Sequence, residues 1–370
     1  MTILDSLLVL EDGRCFRGKG VGAEGTAFGE VVFNTSMTGY QEIATDPSYT
    51  GQIVALTTVQ VGNYGVAVED SQTPKSDRAR LAGLVVRDLS TLSSSWRASG
   101  DLDRWLVRQG VVAITELDTR ALTRHIREKG AMRGGIFRQA HDKDRDALIA
   151  KVRQTPEMTG QDLASEVSVA EPYGVPAKGK AKFSVALVDL GVKRGILRGL
   201  TERGVNVTVY PAATSVEDLL AGNPDGVMLS NGPGDPAAVL PAIETARAVL
   251  GTRPVLGICL GYQILALALG GRTFKMRFGH HGGNHPVSDL ATGEVWITAQ
   301  NHGFAVDPDS LPPEVEQTHF SLYDKTLEGI RWADRQLLAV QFHPEGGPGP
   351  SDADAIFDRY LDLLRATRAE

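Results

Sequence analysis

Two patterns of apolar and polar positions follow one another along the chain. In the first part, short apolar runs are separated by polar and glycine-rich stretches. Residues 4–10 and 30–34 read as strands there, with further strands at 53–58 and 81–86. Asp118 stands as an N-cap before apolar positions at Ala121, Leu122 and Ile126. The spacing predicts a helix over 121–128 that Gly130 ends. From residue 183 the pattern changes. Strand-like segments at 183–188, 205–210 and 226–229 alternate with helix-like ones at 193–200, 216–221 and 243–250. That alternation predicts an α/β domain with an open, mostly parallel sheet and flanking helices. Residues 171–182, E-P-Y-G-V-P-A-K-G-K-A-K, lack periodicity and read as a linker. The expected organisation is a mixed α/β domain over 1–170, the linker, and a parallel α/β domain over 183–370.

One stretch of the second domain carries chemistry. Val255–Ile258 is a buried-strand signal, and Gly261–Leu269 reads as an apolar helix. Cys259 sits between them, with Gly257 two residues before it and Gly261 two residues after. This is the G-x-nucleophile-x-G elbow with sulfur in place of oxygen. The turn crowds the backbone at both glycines and presents the thiol at a helix N-terminus, which favours a thiolate. An inert buried cysteine is the competing reading. Two other loops fall at strand ends, where ligands bind in parallel sheets. Ser230–Pro236, S-N-G-P-G-D-P, exposes backbone N–H groups suited to an oxyanion or to a plain turn. Gln341–Glu345, Q-F-H-P-E, follows an apolar run at 337–342. Pro344 holds His343 extended, so Glu345 at i+2 points the same way as the imidazole and can fix its tautomer.

Composition narrows the choices. The chain has 370 residues, 42% hydrophobic and 22% charged, with a formal net charge of −7. Two domains of ordinary globular make-up fit these values. No basic stripe with interleaved aromatics suggests nucleic acid. Cys15 and Cys259 are the two cysteines, too few for a disulfide framework, which suits a reducing cytoplasm. The first residues lack a basic leader, and the longest apolar stretch, Val255–Leu269, is too short and too interrupted to span a membrane.

Three further stretches carry weaker signals. Gly20, Gly22 and Gly25 match G-x-G-x-x-G, but a strand rather than a helix is expected next, so tight turns are the better reading. Residues 31–52 read as a polar loop or a binding edge. Gly279–Pro286, G-H-H-G-G-N-H-P, reads as a glycine-rich loop, and its histidines lack a familiar metal-ligand spacing. Gln300–Phe304, Q-N-H-G-F, reads as another polar loop, a turn or a substrate contact.

Taken together, G-I-C-L-G-Y-Q, S-N-G-P-G-D-P and F-H-P-E resemble the triad-type glutamine amidotransferases. The stretches V-V-F-N-T-S-M-T-G-Y-Q-E, D-P-S-Y, F-G-H-H-G-G-N-H-P and A-Q-N-H-G-F make the chain similar to the carbamoyl-phosphate synthase small-chain family. The resemblance runs from Leu8 to about Leu361. It implies a glutaminase that passes ammonia to a large synthetase chain, which uses bicarbonate and ATP. By matching motifs it implies Cys259 as nucleophile, His343 as base and then acid, and Glu345 as the orienting group. Backbone N–H groups of Leu260 and Gly232 would form the oxyanion hole. Ser48, Gly234, Gln263, Asn301, Gly303 and Phe304 would line the L-glutamine site. It implies no metal or cofactor in this chain, with ATP and magnesium on the large partner, and a heterodimer or higher oligomer. Tyr262 departs from the family, which usually has His there. A glutaminase subunit of another amidotransferase, or a non-catalytic regulatory subunit, remains as an alternative.

Overall fold

The structure, a computed structural model, describes residues 5–74, 76–140 and 144–369. The start of the first expected strand and of the reading against a leader, residues 1–4, lies outside them. The chain forms two compact units, Met1–Met158 with Arg277–Gly282, and Thr159–Met276 with Gly283–Glu370. No helix among the described residues is long and apolar enough to cross a membrane.

In the first unit, seven strands close into a barrel. Their order is Ser6–Leu10, Cys15–Gly22, Val112–Thr115, Gly83–Val85, Gln52–Leu56, Thr26–Asn34 and Met132–Arg138. Strand Gln52–Leu56 is buried throughout. Its period of two sends Ile53 and Ala55 into one apolar cluster, and Val54 and Leu56 into another. Trp105 and Leu106 of helix Leu102–Gln109 complete the second cluster, and Leu122 and Ile126 the first. The helix expected at 121–128 runs Thr119–Lys129. Asp118 accepts from Ala121 N at 2.9 Å, and the N–H of Gly130 donates to Ile126 O. Gly20 and Gly22 lie in a strand, Gly25 turns the chain, and strand Thr26–Asn34 follows. The stretch 31–52 is more ordered than a loop. It ends a strand at Asn34, then forms helix Tyr40–Thr45 and a 3-10 turn, Pro47–Tyr49.

The second unit is built on a parallel core. Strands Val205–Pro211, Phe183–Asp189, Gly226–Leu229, Val255–Ile258 and Leu337–Val340 lie side by side in that order, all parallel. Antiparallel strands Leu327–Trp332 and Glu316–Ser321 extend the sheet towards the long strands Thr273–Asp289 and Val295–Val306. The four-residue strands Gly226–Leu229, Val255–Ile258 and Leu337–Val340 are apolar throughout because helices cover both faces. Val227, Leu229 and Val255 pack with helices Leu240–Val249 and Leu260–Ala268. Met228, Leu256 and Ile258 pack on the other side with helices Arg194–Glu202 and Ala355–Ala369.

Three sequence expectations are corrected. The division between units falls at Met158/Thr159, not at 171–182. Within the supposed linker, Tyr173–Val175 pairs antiparallel with Val207–Val209, because the sheet edge offers unpaired backbone groups that outweigh weak local propensity. Gly279–Pro286 lies inside strand Thr273–Asp289, and Gln300–Phe304 inside Val295–Val306. Their glycines and polar side chains resemble turn composition, yet His280, His281, His285, Gln300, Asn301 and His302 are all buried. Such groups are tolerated in a sheet where partners exist. Thr298 Oγ1 donates to His285 O at 2.9 Å, and Gln300 Nε2 to Glu328 Oε2 at 2.8 Å.

Candidate active site

The carboxyl ends of the parallel strands converge on Cys259. Its backbone has φ 54° and ψ −104°, a conformation that L-residues rarely adopt. Strain of this kind persists only where the surroundings over-determine it. Cys259 N donates to Val340 O at 2.9 Å, and its carbonyl accepts the N–H of Gln263 at 3.1 Å. The flanking glycines are required by close approach. A Cβ on Gly257 would come within 2.9 Å of Gly261 C, and one on Gly261 would overlap Leu229 O. The thiol is buried and donates to Asn301 O at 3.5 Å.

His343 follows strand Leu337–Val340 and is held by its N–H to Ala299 O at 2.9 Å. Its Nδ1 lies 2.7 Å from Glu345 Oε1, the i+2 arrangement expected from the extended backbone. The other ring nitrogen is therefore the one available to sulfur. Cys259 acts on the ring both by charge and as a loose hydrogen-bond partner. Nε2 has no hydrogen bond of ordinary geometry among the described residues.

A residue absent from the sequence reading completes the group. Lys193 is 2% exposed. Its Nζ lies 2.8 Å from Glu345 Oε1 and donates to Gly346 O at 2.7 Å, while its N–H donates to Asn231 Oδ1 at 3.1 Å. The signal was positional: Lys193 stands just beyond strand Phe183–Asp189, at the same sheet end as Ser230, Cys259 and His343. Electrostatics follow from this triple. Burial favours neutral imidazole, but the Glu345 carboxylate overrides it and raises the His343 pKa to about 10. Burial likewise opposes the Glu345 anion, yet Lys193 and then His343 hold its pKa down to about 2. At neutral pH the pair is imidazolium and carboxylate.

The loop Ser230–Pro236 stands against the elbow. Ser230 O accepts the N–H of Gly261 at 3.0 Å, and a Cβ on Gly232 would sit 2.9 Å from Leu260 Cδ2. No acceptor among the described residues takes the N–H of either Gly232 or Leu260. Gly234 has φ 94° and packs against Leu163. Gln263 gives Nε2 to Phe304 O at 2.8 Å and to Gln341 Oε1 at 2.9 Å. Both of its amide hydrogens are thus used internally, which leaves its carbonyl oxygen for a ligand. Asn301, Gly303 and Phe304 run along strand Val295–Val306, the Phe304 ring under Lys275 Nζ at 4.8 Å. Tyr262 is fully buried and donates its hydroxyl to Leu327 O at 3.3 Å, with its pKa raised by that burial. Its contacts are structural. Ser48 belongs to the first unit, in the turn Pro47–Tyr49, where its N–H donates to Asp46 Oδ1 at 2.9 Å.

Residues 186–363 match the model of the class-I glutamine amidotransferases, and residues 8–136 that of the carbamoyl-phosphate synthase small chain, CPSase domain. The second unit is thus a class-I glutamine amidotransferase domain. Full-length relatives make the assignment narrower. The chain is 50% identical over 372 residues to the carbamoyl phosphate synthase small chain of Streptomyces coelicolor, covering 98% of this chain and 97% of that one. It is 50% identical over 382 residues to that of Salmonella typhi, covering 99% of each. Against that of Thioalkalivibrio sulfidiphilus it is 51% identical over 378 residues, covering 99% and 98%. This chain belongs to the carbamoyl-phosphate synthase small-chain family.

Proposed function

We infer that this chain is the glutaminase subunit of a carbamoyl-phosphate synthase, cutting L-glutamine through a cysteine thioester. The observation that carries the reading is the strained elbow of Cys259 beside the buried His343–Glu345–Lys193 group. With imidazolium beside it, the sulfur is the nucleophile as thiolate. It attacks the carboxamide carbon, and charge builds on the former carbonyl oxygen. The N–H groups of Leu260 and Gly232 receive that oxyanion, each such donor contributing roughly 3 kcal/mol. His343 passes its Nε2 proton to the departing nitrogen, so ammonia leaves and the thioester forms. The ring, now neutral, takes a proton from water as it attacks the thioester. Glutamate leaves and the starting pair returns. Glu345 holds the tautomer and stabilises the imidazolium, and Lys193 holds Glu345. Gly234, Gln263, Asn301, Gly303 and Phe304 line the glutamine.

Amide hydrolysis of this kind needs no metal or organic cofactor. The large chain of the synthase receives the ammonia and holds ATP with magnesium, in the cytoplasm. The first unit serves association with that chain. The test uses the complex reconstituted with the large chain. Cys259→Ser abolishes carbamoyl phosphate synthesis from glutamine, while synthesis from ammonium persists because it bypasses the thioester. Loss of both activities in a complex shown to assemble overturns the division of labour.

A further inference from the structure

The first unit carries a cluster of arginines that the chemistry above does not use. Helix Thr119–Lys129 turns Arg120, Arg124 and Arg127 to one side, at i, i+4 and i+7. Arg87, which follows strand Gly83–Val85, joins them around a bowl of about 620 Å³. All four are exposed, and one carboxylate, Asp118, faces them. That carboxylate is already engaged, since it accepts Ala121 N at 2.9 Å as the helix cap. Arg87 Nη1 donates to Leu117 O at 3.2 Å, and none of the four arginines forms an ion pair among the described residues. Other arginines of the same unit do. Arg133 reaches Glu11 at 2.6 Å, Arg138 reaches Glu24 at 2.8 Å and Arg97 reaches Asp70 at 3.0 Å. Carboxylates are not scarce either, as Asp and Glu number 45 against 38 Lys and Arg. Like charges one turn apart weaken an isolated helix, so the cluster works against the stability of its own element.

We propose that this arginine-lined bowl is a docking site for an acidic segment of the large chain, a proposal that rests on the reading of this protein as the small subunit. Guanidinium groups spaced by helical turns suit carboxylates spaced along a polypeptide, each accepted by a two-pronged donor. Val59, 60% exposed at the rim, adds the apolar contact common in protein interfaces and absent from simple anion sites. A free phosphate fits less well. Phosphate sites at helix N-termini use the open N–H groups and the dipole. Here the Asp118 carboxylate occupies that position and repels a second anion.

The experiment compares full-length wild type, Arg120→Glu/Arg124→Glu and Arg120→Lys/Arg124→Lys, each titrated with the large chain at low and moderate salt. Charge reversal should weaken association at least tenfold and flatten its salt dependence. The lysine pair should fall between, because it keeps the charge but not the fork. Glutaminase activity and thermal midpoint of the isolated variants should match wild type. Unchanged association in both variants overturns the proposal, as does saturable binding of inorganic phosphate or pyrophosphate that the reversal abolishes while assembly is unaffected. A wild-type chain that does not bind the large chain at all counts instead against the small-subunit reading, as the Cys259→Ser experiment would do separately.

Discussion

Replacing Glu345 by Gln removes a charge while keeping a shape. Glu345 Oε1 lies between His343 Nδ1 at 2.7 Å and Lys193 Nζ at 2.8 Å. An amide oxygen can accept from the same two donors, so the ring keeps its tautomer. The influences that remain on His343 are burial and the Lys193 cation, which lower its pKa, and Cys259, which raises it. Glu345 is the strongest influence raising the ring, so without its charge the imidazole pKa drops from about 10. At pH 8 its charged fraction falls from nearly complete. The thiolate loses its counter-ion and the leaving nitrogen its proton donor, so kcat should fall on the order of 10²-fold or more. It should still exceed that of His343→Asn, which moves no proton at all. The variant also strands a buried lysine, at a cost of about 3–5 kcal/mol. Thermal unfolding controls for that, and Lys193→Met/Glu345→Gln removes the stranded cation. The assay is glutamate release from pH 5 to 10.5. In wild type the alkaline limb should lie near the histidine value of about 10, and in the variant it should move to lower pH. An unmoved limb, or a kcat below that of His343→Asn, would refute the assigned roles.

Iodoacetamide should modify Cys259 in a glutamine-protected manner and Cys15 more slowly, because burial raises the Cys15 thiol; equal labelling without protection contradicts the nucleophile. Gly261→Ala drives a methyl group into Leu229 O, so unfolding midpoints should drop by an amount equivalent to roughly 3 kcal/mol; a variant as stable as wild type would show that the elbow tolerates a side chain. Burial depresses His319 to about 4 although Asp289 opposes it. The unfolded chain then binds the extra proton between pH 6.5 and 4, so stability falls as pH drops through that window. His319→Gln should flatten that part of a urea-midpoint profile, and an identical slope would count against it.

The local signals that survived were those whose physics is short-range. Gly226–Leu229 and Val216–Ala221 form as expected from apolar patterning alone. Asp118 caps its helix because the capping bond spans three residues. The elbow was legible because steric crowding at Gly257 and Gly261 follows from the turn itself. The i+2 geometry of His343 and Glu345 follows equally from an extended backbone.

What only the tertiary structure decided depends on partners far along the chain. Tyr173–Val175 became a strand because a sheet edge lay beside it. The polar stretches at 279–286 and 300–304 lie inside long strands, where Gln300 finds a buried acceptor in Glu328. No local pattern marks a lysine as buried. The partner that makes Lys193 bearable, Glu345, is 152 positions away in sequence yet 2.8 Å away in space. The sequence by itself therefore determined the elements with short-range signals and the elbow, and it singled out Cys259, His343 and Glu345 as candidates. The fold decided which charges share one dry volume, and burial there makes each pairing strong enough to set the protonation states of the site.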